Sequence, residues 1–148
     1  MRAECSFEVA GSDRLGSAPR VSLLHHLALG TRDVERLARF YRDVLGLREV
    51  TRLHHPDGAL RSVWLDLGGS VLMIEPTDEA PRQVTGVAAG LFLIALRIAE
   101  VERQTFEDRL REAGCGVEGR SEWTSYARDP DGNRIALSAY PLPALELS

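Results

Sequence analysis

The sequence predicts an α+β fold built from two copies of one βαβββ module. Three observations carry that prediction. The order strand, helix, strand, strand, strand reads twice along the 148 residues. Landmarks recur at a fixed distance: "HLAL" and "LIAL" start 67 residues apart, and Leu45-Gly46 and Ala113-Gly114 lie 68 apart. In each copy the apolar period also switches from 2 to 3.6 just after the first strand. A repeat this long, seen twice, means duplication of a supersecondary unit rather than a solenoid.

In the first copy, residues 23–29 (LLHHLAL) form an apolar, strand-like run ending at Gly30. Val34, Leu37, Tyr41, Val44 and Leu45 then fall at helical spacing, with Phe40 beside them. Asp33 is placed to cap that helix and Gly46 to end it. The strands "REVTRLHH", "LRSVWLDL" and "VLMIEP" follow, separated by "HPDGA" and "GGS" turns. In the second copy, "GLFLIALRI" (90–98) is the first strand and 100–114 the helix, with Phe106, Leu110 and Ala113 on one face. "CGVEGRSEW", "TSYARDP" and "DGNRIALSAY" supply strands around a "DPDGN" turn. The division that results is a leader at 1–21, a module at 22–80, a linker at 81–89, a module at 90–142 and a tail at 143–148.

The net charge of −4 supplies no general attraction to nucleic acid or to an anionic membrane, so neither is expected as a partner. No apolar run approaches the ~18 residues of a membrane-spanning helix. The first twenty residues contain no continuous apolar segment and do not read as a signal peptide. The expectation is a cytoplasmic protein with Cys5 and Cys115 as free thiols.

"HHLALGTRDVERLARFYRDVLGL" and "YARDPDGNRIALSAY" resemble the two end signatures of the vicinal oxygen chelate superfamily. This group includes glyoxalase I, bleomycin-resistance proteins, extradiol dioxygenases and fosfomycin-resistance enzymes. The resemblance covers about residues 22–140. It implies paired modules whose mixed sheets curl around a cavity, and a homodimer. In metal-dependent members it implies four ligand positions on cavity-facing strands, where a divalent ion binds vicinal oxygens of the substrate.

Residue by residue, that carry-over is poor. His26 matches the first position, and strand alternation sets it with Leu24 and Ala28, opposite His25, Leu27 and Leu29. The position before "IAL" is Leu93, and the one matching the family's glutamate after "DPDGN" is Ala136. The remaining position is Met73 or Leu72, depending on the superposition used. Glu75 is the nearby carboxylate, a displaced ligand or a solvated strand end. No metal cofactor is therefore expected; a divalent metal would need a shifted site with His26 and Glu75.

Alternation also directs Leu93, Ala95 and Arg97 toward the cavity, and Ser62, Trp64 and Asp66 toward the cavity or a subunit contact. Trp64 offers a stacking surface, Met73 adaptable apolar surface, Arg97 a partner for an anion, and Tyr126 a hydroxyl near the last strand. Together with His26, Leu93 and Ala136 these are the candidate ligand-binding residues. His26 is the candidate catalytic residue, since a histidine's intrinsic pKa suits proton transfer. "DPDGN" reads as turn chemistry. The functional expectation is a small organic ligand in an apolar cavity with a degenerate metal site. The alternative is a metal-dependent lyase, isomerase or dioxygenase using the shifted site.

Overall fold

The computed structural model describes residue 21 and residues 23–143. Strand β1 (His26–Thr31) leads into helix α1 (Val34–Arg39), which continues through a π-helical turn (Phe40–Val44). Strands β2 (Glu49–His54), β3 (Leu60–Asp66) and β4 (Val71–Pro76) complete the first module. The second module runs β5 (Ile94–Arg97), a 3-10 turn (Glu100–Glu102), α2 (Arg103–Glu112), β6 (Gly119–Arg120), β7 (Thr124–Arg128) and β8 (Arg134–Ser138). Each module makes one four-stranded mixed sheet, ordered β1-β4-β3-β2 and β5-β8-β7-β6. In both, the first strand pairs in parallel with the last, and the other pairs are antiparallel. The expected α+β fold of two βαβββ modules is the fold observed.

Local chemistry accounts for the element ends. The Asp33 carboxylate accepts the Arg36 backbone N–H at 3.0 Å, capping α1 as expected. Gly46 and Gly114 stop the two helices at φ of 77° and 75°, a conformation that side chains with a Cβ resist. The first helix ends on a wider turn than its spacing suggests, with the Leu45 N–H reaching back to the Phe40 carbonyl.

The first strands are shorter or shifted relative to expectation. β1 begins at His26 rather than at 23 because β4 begins at Val71, its register partner. β5 begins at Ile94 rather than at 90 because Ile94 pairs with Ile135, near the start of β8. Apolar residues upstream have no strand to pair with, so composition overstated both strands. "CGVEGRSEW" yields only the two residues of β6. The leader up to residue 20 and the tail beyond residue 143, with Cys5, lie outside the described residues, whereas Cys115 is a free, half-buried thiol.

One core joins the modules. Leu37, Ala38 and Tyr41 of the first helical segment and Leu110 of α2 pack with Val63, Leu65, Leu72 and Ile74 of the first sheet and Ala127, Ile135 and Leu137 of the second. Within it the Tyr41 hydroxyl donates to Asp129 Oδ2 at 2.9 Å, linking residues 88 positions apart. Tyr41 is 0% and Asp129 3% exposed. Asp129 also accepts the backbone N–H groups of Asp131 and Asn133 and the Asn133 side-chain amide. Burial raises the Asp129 carboxyl above its ordinary value, opposed by these bonds, and pushes the Tyr41 phenol well up. Arg36 adds a second tie, donating to the Pro130 carbonyl at 2.7 Å.

A separate polar knot lies inside the second module. Buried Glu107 accepts two bonds from Arg120, at 2.7 and 3.0 Å, and one from Ser125 at 2.6 Å. Arg103 donates to the same Ser125 hydroxyl. The Arg120 hydrogen bonds, helped by Ser125, hold the Glu107 carboxyl down to about 2 against the opposing effect of burial.

Two predictions follow from these contacts. Tyr41→Phe removes one donor while leaving Asp129 its three Asp131 and Asn133 bonds; it should cost about 1–2 kcal/mol in denaturant unfolding. Glu107 binds protons less readily folded than unfolded, so its contribution is full above the ordinary carboxyl value and is lost as pH falls from there toward about 2. Glu107→Gln should flatten that acid limb and cost about 1–3 kcal/mol at pH 7, measured by unfolding across pH.

Candidate ligand site on the open sheet faces

Each sheet packs one face on the shared core and leaves the other open. In the first sheet, Leu72 and Ile74 go inward, while Val71, Met73 and Glu75 face the open side. Of the two candidates for the second ligand position, Met73 faces away from the core and Leu72 is a core residue. Register builds a cross-sheet row of Ala28, Met73, Trp64 and Thr51. The Trp64 indole N–H donates to Ser62 Oγ at 2.9 Å, which fixes the ring and satisfies its one polar atom. His26 stands one step along β1, level with Val71 and Asp66. Asp66 is already engaged: Gly68 N–H and Arg48 hydrogen-bond to its carboxylate and lower its pKa.

His25 departs from expectation. It lies before the strand, and strand alternation does not govern it. Its Nδ1 is 2.8 Å from His26 Nδ1, so one imidazole donates and the other accepts. The two rings meet edge to face on the exposed side.

In the second sheet, the open-face row is Ala95, Ala136, Tyr126 and Gly119. Ala136 is buried yet stands outside the main apolar cluster, as its outward direction requires. Arg97 and Ser138 are level, and the Ser138 hydroxyl bonds that of Thr124 at 2.9 Å. Leu93 is half-buried just ahead of β5. The sequence reading missed Arg134, whose guanidinium lies over the Tyr126 ring at 5.9 Å. Its buried Nε makes no hydrogen bond among the described residues but lies 3.7 Å from Glu118 Oε1, and its Nη1 donates to the Gly86 carbonyl at 2.7 Å. Counting two back from Ala136 along "DPDGNRIAL" would have placed it on this face.

The donor set does not fit a divalent ion. Leu93 and Ala136 carry no electron pair, and Met73 offers only a weak thioether where an oxygen ligand is needed. Glu75 is level with Gly30, four residues along β1 from His26, about 13 Å at strand rise. Those two side chains of one chain do not reach a common ion. Among the described residues no three His, Cys, Asp or Glu side chains converge as a metal-holding group.

One chain does not enclose the predicted set. His26, Ala28, Ala95 and Arg97 are all exposed. Four of the cavities on the described surface measure about 430–680 Å³. His26 enters one, beside Leu23 and Leu24. Trp64, Met73, Leu93, Arg97, Tyr126 and Ala136 line none of these four. No helix among the described residues is long and apolar enough to cross a membrane.

Comparison with known proteins agrees with the fold. The chain is 30% identical over 130 residues to a virulence protein of Salmonella typhimurium, covering 81% of this chain and 85% of that protein. It is 28% identical over 124 residues to the glutathione transferase FosA of Serratia marcescens, covering 82% and 83%. A mutant of the fosfomycin resistance protein FosX from Listeria monocytogenes, crystallised with Mn(II) and 1S,2S-dihydroxypropylphosphonic acid, superposes with a TM-score of 0.69 at 19% identity, covering 83% and 96%. Lactoylglutathione lyase from Agrobacterium tumefaciens gives 0.59 at 25% identity, covering 81% and 95%. Residues 23–137 match the family model of the glyoxalase/bleomycin resistance protein/dioxygenase superfamily, to which the chain belongs.

Proposed function

We propose that this chain binds a small organic molecule without a metal ion, in a cleft formed where the open sheet faces of two copies meet. The observation that carries the reading is the pair Leu93 and Ala136, aliphatic side chains at the positions where the family resemblance calls for metal donors. Homodimerisation is part of the proposal, because the exposed faces of one chain need a covering wall before they hold a ligand.

The faces differ in chemistry. The first offers Trp64 and Met73, a flat aromatic surface beside a flexible apolar one, with His26 at its edge as the polar contact. The second offers Arg97, Tyr126 and Arg134 around Ala136. A ligand spanning both is apolar or conjugated at one end and anionic at the other, with guanidinium groups reading its charge.

Two measurements test this. A panel of conjugated carboxylates and phosphonates, followed by thermal unfolding and Trp fluorescence, should contain ligands that raise the melting temperature by mass action, and chelator should leave that shift unchanged. Trp64→Ala should weaken binding about ten-fold, the loss of one aromatic contact. Elemental analysis after Mn(II) incubation should show no stoichiometric metal in the native chain. The double variant Leu93→His/Ala136→Glu should acquire one ion per site. About one ion per native chain, lost in His26→Ala, would instead establish the metal-dependent lyase, isomerase or dioxygenase reading.

A further inference from the structure

We propose a second ligand site, between the first helical segment and the second module, that takes an organic monoanion with an apolar body. A cavity of about 530 Å³ opens there. That size is ordinary for a small-molecule site. The helical segment supplies Arg36, Arg39 and Val44 to one wall, with buried Phe40 beneath them. The turn after α2 supplies Cys115 to the other wall, and the end of β7 supplies Arg128.

The positive charge in this cavity is not matched from within. Asp43 and Asp129 are the carboxylates that line it, and both are employed. Asp43 accepts two bonds from Arg42, at 2.7 and 3.2 Å. Buried Asp129 takes the donors of Tyr41, Asp131 and Asn133. Arg128 is matched by Glu118 at 3.0 Å. Arg36 and Arg39 remain. Arg36 gives one bond to the neutral Pro130 carbonyl, and its closest carboxylate oxygen, Asp131 Oδ1, is 4.0 Å away, beyond hydrogen-bond reach. Arg39 makes no hydrogen bond or ion pair among the described residues. Both side chains are exposed, so their spare N–H groups are open to an occupant.

Helix electrostatics do not account for this pair. Cations complement a helix C-terminus, but the helical segment runs on to Val44, so Arg36 and Arg39 stand within it. Like charges on adjacent turns repel each other, and an anion lying between them removes that cost.

The occupant follows from charge and lining. Three lining guanidiniums face two lining carboxylates, so one negative charge balances the cavity, and a dianion would meet Asp43 and Asp129 in excess. A carboxylate fits the forked donors of arginine. Phe40, Val44 and Cys115 call for a hydrocarbon or aryl body behind that charge rather than a bare inorganic ion.

Cys115 is a reporter already in place, a half-buried free thiol on the cavity wall. Burial, reinforced by Asp129 and opposed by Arg36, pushes this thiol up, which makes its alkylation slow enough to time. The test uses the full chain carrying Cys5→Ser, so that one thiol is read. It is alkylated with iodoacetamide in the presence of phenylbutyrate, of the neutral phenylbutyramide, or of sodium sulfate, at constant pH and ionic strength. Phenylbutyrate should slow the reaction saturably. The amide should need at least about ten times the concentration, the loss of a charge-assisted bond, and sulfate should not protect. Arg39→Gln should raise the half-protecting concentration of phenylbutyrate about ten-fold, and Arg39→Lys, which keeps the charge, should raise it less. An unchanged alkylation rate without ligand guards against a folding defect in these variants. Trp64→Ala should leave protection as it was, separating this site from the open-face cleft. Absence of saturable protection, equal protection by the amide or by sulfate, indifference to Arg39→Gln, or loss of protection in Trp64→Ala would overturn the proposal.

Discussion

The bond from the Tyr41 hydroxyl to the Asp129 carboxylate sets the arrangement of everything else. It joins the helical segment of one module to the turn of the other, inside an apolar core that both modules fill. The modules are thus fused through their helices, and both sheets turn their second faces away from that junction. Burial opposes ionising Asp129, yet four donors surround it, so the turn is held by a carboxylate that is fully employed. Breaking any one donor leaves the others, which makes the junction tolerant; removing the carboxylate would strand all four.

Much of this was legible in the sequence because period-2 alternation is a backbone property. It placed His26 with Ala28, and Trp64 opposite the core, before any partner strand was known. Asp33 and Gly46 were legible for similar local reasons. Strand starts were not, because they depend on where a distant partner begins: Val71 for β1, and the first residues of β8 for β5. The choice between Leu72 and Met73 needed register for the same reason. His25 was misplaced by extending alternation one residue beyond the strand. Family resemblance suggested ligand positions, but only the side chains standing there report their chemistry.

The "DPDGN" segment shows how one stretch can hold two kinds of information. As turn chemistry it reads correctly from sequence. Three-dimensional packing divides its two inner carboxylates between different tasks, with Asp129 satisfied on every side and Asp131 left with an unfilled oxygen. Sequence spacing cannot make that distinction, since both residues suit a turn equally well.

The segment from 77 to 93 that connects β4 to β5 carries a further consequence. Seventeen extended residues reach at most about 55–60 Å, more than a small domain's width. A connector of that reach does not by its length alone confine the Tyr41–Asp129 bond to one polypeptide. Halves exchanged in this way would equilibrate with unexchanged chains according to concentration and the stiffness of that connector, and Pro81 falls within it.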